Sequence, residues 1–306
     1  MPGLKFDKKV AIVTGGGGRH PSLGRSHALF LASRGARVVV NDVGTGPDGR
    51  GEISASAAAL VEEIRAAGGE AVADTNSVAD PDGAEAIVKT ALDAFGAIDI
   101  LINNAGVAHL APFGELSNGD IRRMVDVHLM GTIWMCRAVW PHMAAQRYGR
   151  IVNVGSAAMF GTRGSVVYAG AKAGVFSLAR GLAVEGREYD IKVNTLLPRA
   201  GTLAITHLQA DSERTRKIMQ LAPEQVAPVV ALLAHEQCPC SGKGIEAGGG
   251  RVWEVLLAKT RGYRSEMIDL DDLATHWPKV VDRDGLAILP DGFAESPMTL
   301  KPYIPR

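Results

Sequence analysis

Three side chains in the middle of the chain are spaced for proton chemistry: Ser156, Tyr168 and Lys172. Tyr168-Ala-Gly-Ala-Lys172 falls in a stretch of helical pattern. An i, i+4 spacing there sets a phenol and an ammonium on one helix face, about one turn apart. A free tyrosine, with a pKa of about 10, is a poor acid or base near neutrality. A neighbouring positive charge stabilises tyrosinate and brings the group towards the working range. Ser156 stands twelve residues upstream at the end of an apolar run, where its hydroxyl can donate to a substrate oxygen. Alone, Tyr-x-x-x-Lys is most often a solvated helix face. It becomes a chemical signal beside a feature that binds a second reactant.

That feature lies near the N-terminus. Val10-Ala-Ile-Val-Thr14 runs into Gly15-Gly-Gly-Gly18-Arg-His-Pro-Ser22-Leu23-Gly24, a glycine-rich turn between an apolar strand and a helix. Glycines let the backbone approach a pyrophosphate, whose charge then meets the unpaired N–H groups of the helix N-terminus. Ser22 is placed as the N-cap, just after Pro21. Asp42 ends the next strand, 18 residues after Gly24. A carboxylate there accepts the adenosine ribose hydroxyls and repels a 2′-phosphate, which favours NAD over NADP. The plain alternatives are a loop that is only flexible and an Asn41-Asp42 that only opens a turn.

The elements that must position these groups follow from periodicity. Strands are expected at Val10–Thr14, Arg37–Asn41, Glu70–Ala73, Ile98–Asn103, Ile151–Val154 and Ile191–Leu196, with helices near 23–34, 53–67, 82–95, 118–146 and 166–188. Strands alternating with helices of this length imply right-handed crossovers and a parallel sheet covered on both faces. The fold class is therefore α/β, a Rossmann-type doubly wound parallel sheet. Two more helical stretches, near 211–219 and 223–235, precede a Gly-rich segment and a last strand around 251–257. Pro141 inside the fourth helix implies a kink or an early end. Past residue 258 the texture changes to a helix and a Pro-rich tail, so the expectation is one domain over 1–258 and an extension over 259–306.

With 33 Lys+Arg against 33 Asp+Glu the formal charge is zero, which disfavours binding to a nucleic-acid backbone. A 46% hydrophobic, 22% charged chain can bury a full core. Cys136, Cys238 and Cys240 form an odd, sparse set without zinc-knuckle spacing, so no metal site is expected. No apolar run reaches the roughly 18–20 residues that span a bilayer. A cytoplasmic protein without membrane contact is the expectation.

Together these residues resemble the short-chain dehydrogenase/reductases, over roughly residues 5–258. The resemblance rests on the Thr14-Gly15 loop, Asn41-Asp42, Asn103-Asn104-Ala105-Gly106, Ser156, Tyr168 with Lys172, and Pro198-Arg-Ala-Gly201-Thr202. RVVVNDVG, VHLMGT, YGRIVNV and PEQVAPVVALLAHEQC are similar to the (3R)-hydroxyacyl-CoA dehydrogenase branch, the unit found in the peroxisomal multifunctional enzyme. Tyr168 would then be the general acid or base, Ser156 would orient the carbonyl or hydroxyl, and Lys172 would hold the nicotinamide ribose. Cofactor contacts are implied for Gly15, Gly18, Ser22, Leu23, Gly24, Asp42, Asn76, Ser77, Asn104, Ala105, Gly106, Tyr168, Lys172, Pro198, Gly201 and Thr202. His128 stands where the family usually has Asn; a general-base role and a structural or water-holding role are both open. Substrate would face His109, Leu110, Met159, Phe160 and the stretch Arg199–Gln220, with Arg163 or Arg199 as candidates for a CoA phosphate.

The chain departs from the family in places. About three residues appear inserted in the glycine loop, and Ser22 stands where the middle glycine belongs. Arg19 and His20 can face cofactor phosphates, so NADP stays open. Asn76 replaces the usual adenine-contacting Asp. The implied activity is hydride transfer between a secondary alcohol and a ketone, most directly (3R)-3-hydroxyacyl-CoA and 3-oxoacyl-CoA. A hydroxysteroid or other bulky alcohol is the alternative substrate. A dinucleotide-binding sensor without catalysis is the alternative class. The resemblance also implies a homodimer or homotetramer associating through the helices around 118–146 and 166–188.

Overall fold

The computed structural model describes residues 3–51, 56–203 and 213–288. Eight strands form one sheet: β1 (Val10–Thr14), β2 (Arg37–Asn41), β3 (Glu70–Asp74), β4 (Ile100–Asn103), β5 (Gly149–Val154), β6 (Ile191–Pro198), β7 (Gly244–Gly248) and β8 (Arg251–Val255). Their spatial order is β3-β2-β1-β4-β5-β6-β7-β8, parallel through β7. A parallel neighbour needs a long crossover, whereas the two residues between β7 and β8 allow only an antiparallel return. The order reverses at β1, so β1 and β4 diverge at the switch point where doubly wound sheets bind ligands.

The central strands β1, β4 and β5 are buried along their whole length because both faces are covered. Helices α1 (Leu23–Ser33), α2 (Ser56–Ala66) and α3 (Pro81–Phe95) connect the first strands. One core gathers Ala11, Val13, Val38 and Val40 with Leu31, Leu60 and Ile64. The opposite face gathers Val10, Ile12 and Val39 with Ile87, Met135 and Met143. Successive strand residues thus supply alternate cores, as the two-residue pleat requires.

The stretch expected over 118–146 is helical throughout, as α4 (Asn118–Val125), a π-helical segment Asp126–Met130, and α5 (Gly131–Gln146). Two expectations need correction. Pro141 does not end the helix; α5 continues through to Gln146. β7 lies in the segment read only as Gly-rich, since glycine is depleted in strands. Packing explains its presence: a Cβ on Gly244 would lie 2.2 Å from a Phe176 ring atom. Phe176 belongs to α6 (Val166–Glu185), so only a bare backbone lets that ring close over the strand.

Two later helices follow β6, α7 (Glu213–Met219) and α8 (Ala227–Ala234), the second packed against α1 and β5. A second compact unit begins at Val255. It holds a strand pair, β9 (Ala258–Lys259) with β10 (Ala287–Ile288), and α9 (Leu270–Val280), N-capped by Asp269. Tyr263 stacks on His276 within it, with ring centroids 4.4 Å apart.

Candidate active site

The glycine turn is shaped by hydrogen bonds from the β4 end. Thr14 Oγ1 accepts from the Asn104 and Ala105 amides, each at 3.0 Å, and Asn104 Nδ2 donates to the Thr14 and Gly15 carbonyls. Gly15 has φ +62°, in the left-handed region that favours glycine. Gly24 opens α1 against this turn so closely that a Cβ would lie 2.1 Å from the Gly15 carbonyl oxygen. Thr14 was not singled out by spacing, yet its hydroxyl joins the two loops.

Asp42 accepts from the Gly17 amide at 3.0 Å and the Gly44 amide at 2.7 Å. Burial pushes its carboxyl up, while these two amides and the Ser56 hydroxyl pull it down. Asp42 therefore braces the glycine turn from the end of β2. Ser22 is the N-cap of α1 with extended backbone, but its side chain makes no capping bond. The first-turn N–H groups are left for another acceptor. An anion-ready helix start, a tightly packed glycine turn and a carboxylate at the β2 end form a donor and acceptor set that fits a dinucleotide.

The adenine-side residues are more committed than expected. Asn76 Nδ2 donates to Asp74 Oδ2 at 2.9 Å, and Ser77 Oγ accepts from the Ala79 amide. Asp74, buried and bonded also by Asn41 and Thr90, organises this corner and was invisible in the sequence. Of the inserted loop residues, Arg19 is exposed, and His20 Nδ1 lies 3.5 Å from Glu224. On the far side, Pro198 closes β6, and the buried Gly201 donates to the Leu221 carbonyl, with Thr202 half-buried beside it.

Ser156 and Tyr168 come together. Ser156 follows β5, caps the short turn Ala157–Phe160 through the Ala158 amide at 3.1 Å, and lies near enough to the Tyr168 hydroxyl to lower its pKa. Tyr168 and Lys172 lie one turn apart on α6, Lys172 Nζ being 5.8 Å from the phenol ring centre. Lys172 is buried and donates to the Val154 carbonyl at 2.5 Å. The electrostatics differ from the sequence expectation. Burial dominates the phenol and pushes it above its ordinary value, with Ser156 pulling the other way. Lys172 is itself brought down to about 7 by burial, so in the protein alone it carries less charge than its spacing implied.

His128 sits in the π-helical segment, an irregularity that concentrates at functional sites. Its ring is buried, and Nε2 lies 2.6 Å from the Val107 carbonyl and 3.2 Å from the Val107 amide. One nitrogen cannot donate and accept at once, and the shorter contact assigns the proton to Nε2. Nδ1 is then an acceptor without a partner among the described residues. Burial first, then the Lys172 charge, bring His128 down to about 3, so the imidazole is neutral. Gly106 seats the ring: a Cβ there would be 2.6 Å from His128 Cε1.

The substrate-side residues are less gathered. His109 Nε2 is 3.9 Å from Asp120, Leu110 and Met159 are half-buried, and Phe160 is 63% exposed. Arg163 is exposed, and Arg199 is 3.6 Å from Glu246. Within Arg199–Gln220, residues 204–212 lie outside the described residues.

The family profile for short chain dehydrogenase matches residues 9–217. A short-chain type dehydrogenase/reductase of Mycobacterium tuberculosis is 41% identical over 290 residues, covering 94% of this chain and 98% of that one. Peroxisomal multifunctional enzyme type 2 of Mus musculus is 40% identical over 285 residues, 91% of this chain; the chain spans only 37% of that enzyme's length. A 7α-hydroxysteroid dehydrogenase solved with NADH and 7-oxo glycochenodeoxycholic acid superposes with TM-score 0.70 at 27% identity, over 80% of this chain and 95% of that one. The chain belongs to the short-chain dehydrogenase/reductase family and is an oxidoreductase acting on CH–OH groups.

Proposed function

We propose that the chain is an NAD-dependent dehydrogenase that interconverts (3R)-3-hydroxyacyl-CoA and 3-oxoacyl-CoA. The observation that carries the chemistry is Ser156 beside the Tyr168 hydroxyl, with buried Lys172 one turn away. The 40% likeness to the mouse peroxisomal enzyme supports the acyl-CoA class. When bound, the nicotinamide dinucleotide supplies the hydride acceptor or donor. Ser156 holds the substrate oxygen, and Tyr168 removes its proton during oxidation or returns one during reduction. Lys172 sets the local field and the cofactor's ribose end. The Gly15–Gly24 turn and the α1 N-terminus take the pyrophosphate, and Asp42 takes the adenosine ribose. That carboxylate would meet a 2′-phosphate with like charge, which supports NAD over NADP.

The experiment is oxidation of 3-hydroxyacyl-CoA and hydroxysteroid panels with NAD and NADP in parallel, for the wild type and Tyr168→Phe. The reading expects acyl-CoA turnover with NAD and its near-complete loss in Tyr168→Phe while NADH still binds. Undiminished turnover in Tyr168→Phe would sink the mechanism. Preference for steroids would favour the second reading, which the likeness to the 7α-hydroxysteroid dehydrogenase supports. Association into a homodimer or homotetramer through α5 and α6 belongs to the same proposal and is read by light scattering.

A further inference from the structure

β2 and β4 flank β1 in the sheet, so any connection from the end of β2 to the segment after β4 must pass over the end of β1. The glycine turn starts there. Residues 43–51 make such a crossing. At their root, the Gly44 amide shares the Asp42 carboxylate with the Gly17 amide of the glycine turn. At their far end, the Ala108 amide donates to the Pro47 carbonyl at 2.8 Å. Gly49, with φ +74°, lies so close to the segment after β4 that a Cβ would be 2.7 Å from Val107 Cγ1. The segment also holds its own shape: Gly46 donates to the Arg50 carbonyl at 2.7 Å, and Asp48 accepts from the Arg50 amide at 3.1 Å.

One side-chain contact pins the crossing. Arg50 Nη2 donates to Asp120 Oδ1 at 2.7 Å. Asp120 is mostly buried near the start of α4, where Ser117 Oγ donates to it at 2.5 Å and Arg123 Nη1 at 3.3 Å. These remaining partners matter for motion. Were Arg50 to leave, Asp120 would still have a cation and a hydroxyl, so opening does not strand a buried charge. The Arg50 guanidinium is half exposed, and contacts of that kind are weak and salt-sensitive. Of the contacts that hold the crossing, the Arg50 pair is the one between side chains that can be released at low cost.

We propose that residues 43–51 are a strap across the dinucleotide cleft, latched by Arg50 on Asp120, and that release of this latch governs cofactor entry and exit. The inference rests on the cleft holding a nicotinamide dinucleotide. A ligand lying along the glycine turn beneath the strap leaves only when the strap lifts, and such steps often limit turnover.

The test is stopped-flow displacement of NADH, followed by its fluorescence, in the wild type, Arg50→Ala and Arg50→Lys at low and high salt. Arg50→Ala should release NADH roughly 1.5- to five-fold faster, the range a single partly exposed ion pair supports. Arg50→Lys should fall between, and added salt should speed release in the wild type but not in Arg50→Ala. Equal release rates with no salt response would overturn the strap alone. Failure of NADH to bind the wild type would overturn the cofactor reading as well.

Discussion

The imidazole of His128 meets the ring of Tyr168 edge to face, with centroids 5.0 Å apart and planes at 84°. The same imidazole is bonded to Val107 on the loop after β4. One neutral ring therefore links that loop to the candidate reactive phenol. His128→Ala should lower kcat by roughly 10- to 100-fold, since sub-ångström misplacement of a reacting group costs rate on that scale. His128→Phe keeps the ring contact but not the Val107 bond and should recover part of the loss. Steady-state kinetics with a parallel NADH titration separate this from lost cofactor binding; wild-type kcat in His128→Ala would remove the role.

Ser156 should tune the phenol as well as hold substrate. It lowers the Tyr168 pKa against the upward push of burial. Alcohol oxidation needs the deprotonated phenol, so the rate should rise with pH, and ketone reduction should fall at high pH. Ser156→Ala removes the lowering influence, and its oxidation profile should move to higher pH as well as lose amplitude. A profile that only loses amplitude would show that Ser156 does not act on the phenol.

His27 should make the fold acid-labile. It is fully buried in α1 with neither ring nitrogen partnered among the described residues, and burial brings it down to about 3. Its folded value lies below the unfolded value near 6.5, so the unfolded chain binds the proton more readily. Stability then falls as pH drops below about 6.5, by about 2 kcal/mol at pH 5 from this one group. His27→Leu should be close to neutral at pH 7.5 and stabilising at pH 5, as read by urea unfolding at both values.

Gly244→Ala tests the packing that hides β7. The added methyl meets the Phe176 ring, and such overpacking costs roughly 1–3 kcal/mol. The paired change Gly244→Ala with Phe176→Leu should regain part of it. Thermal unfolding of the two variants measures both.

Local pattern alone determined the order of elements from β1 to β6, because buried parallel strands are continuous β-branched runs and their crossovers are periodic helices. It also placed Tyr168 and Lys172 one helical turn apart and Ser156 and Asp42 at strand ends, while their proposed roles came from the resemblance. β7 was hidden because Gly244 answers to Phe176, a residue 68 positions away in the chain. Asp74 and Val107 carried no signal, since their partners come from other elements. The electrostatics of the site also belong to the tertiary structure. Spacing sets a charge near a phenol, but burial decides how much of that charge survives, and here it brings Lys172 to about 7 and lifts Tyr168. Desolvation depends on everything packed around a group, and no short stretch of chain contains that.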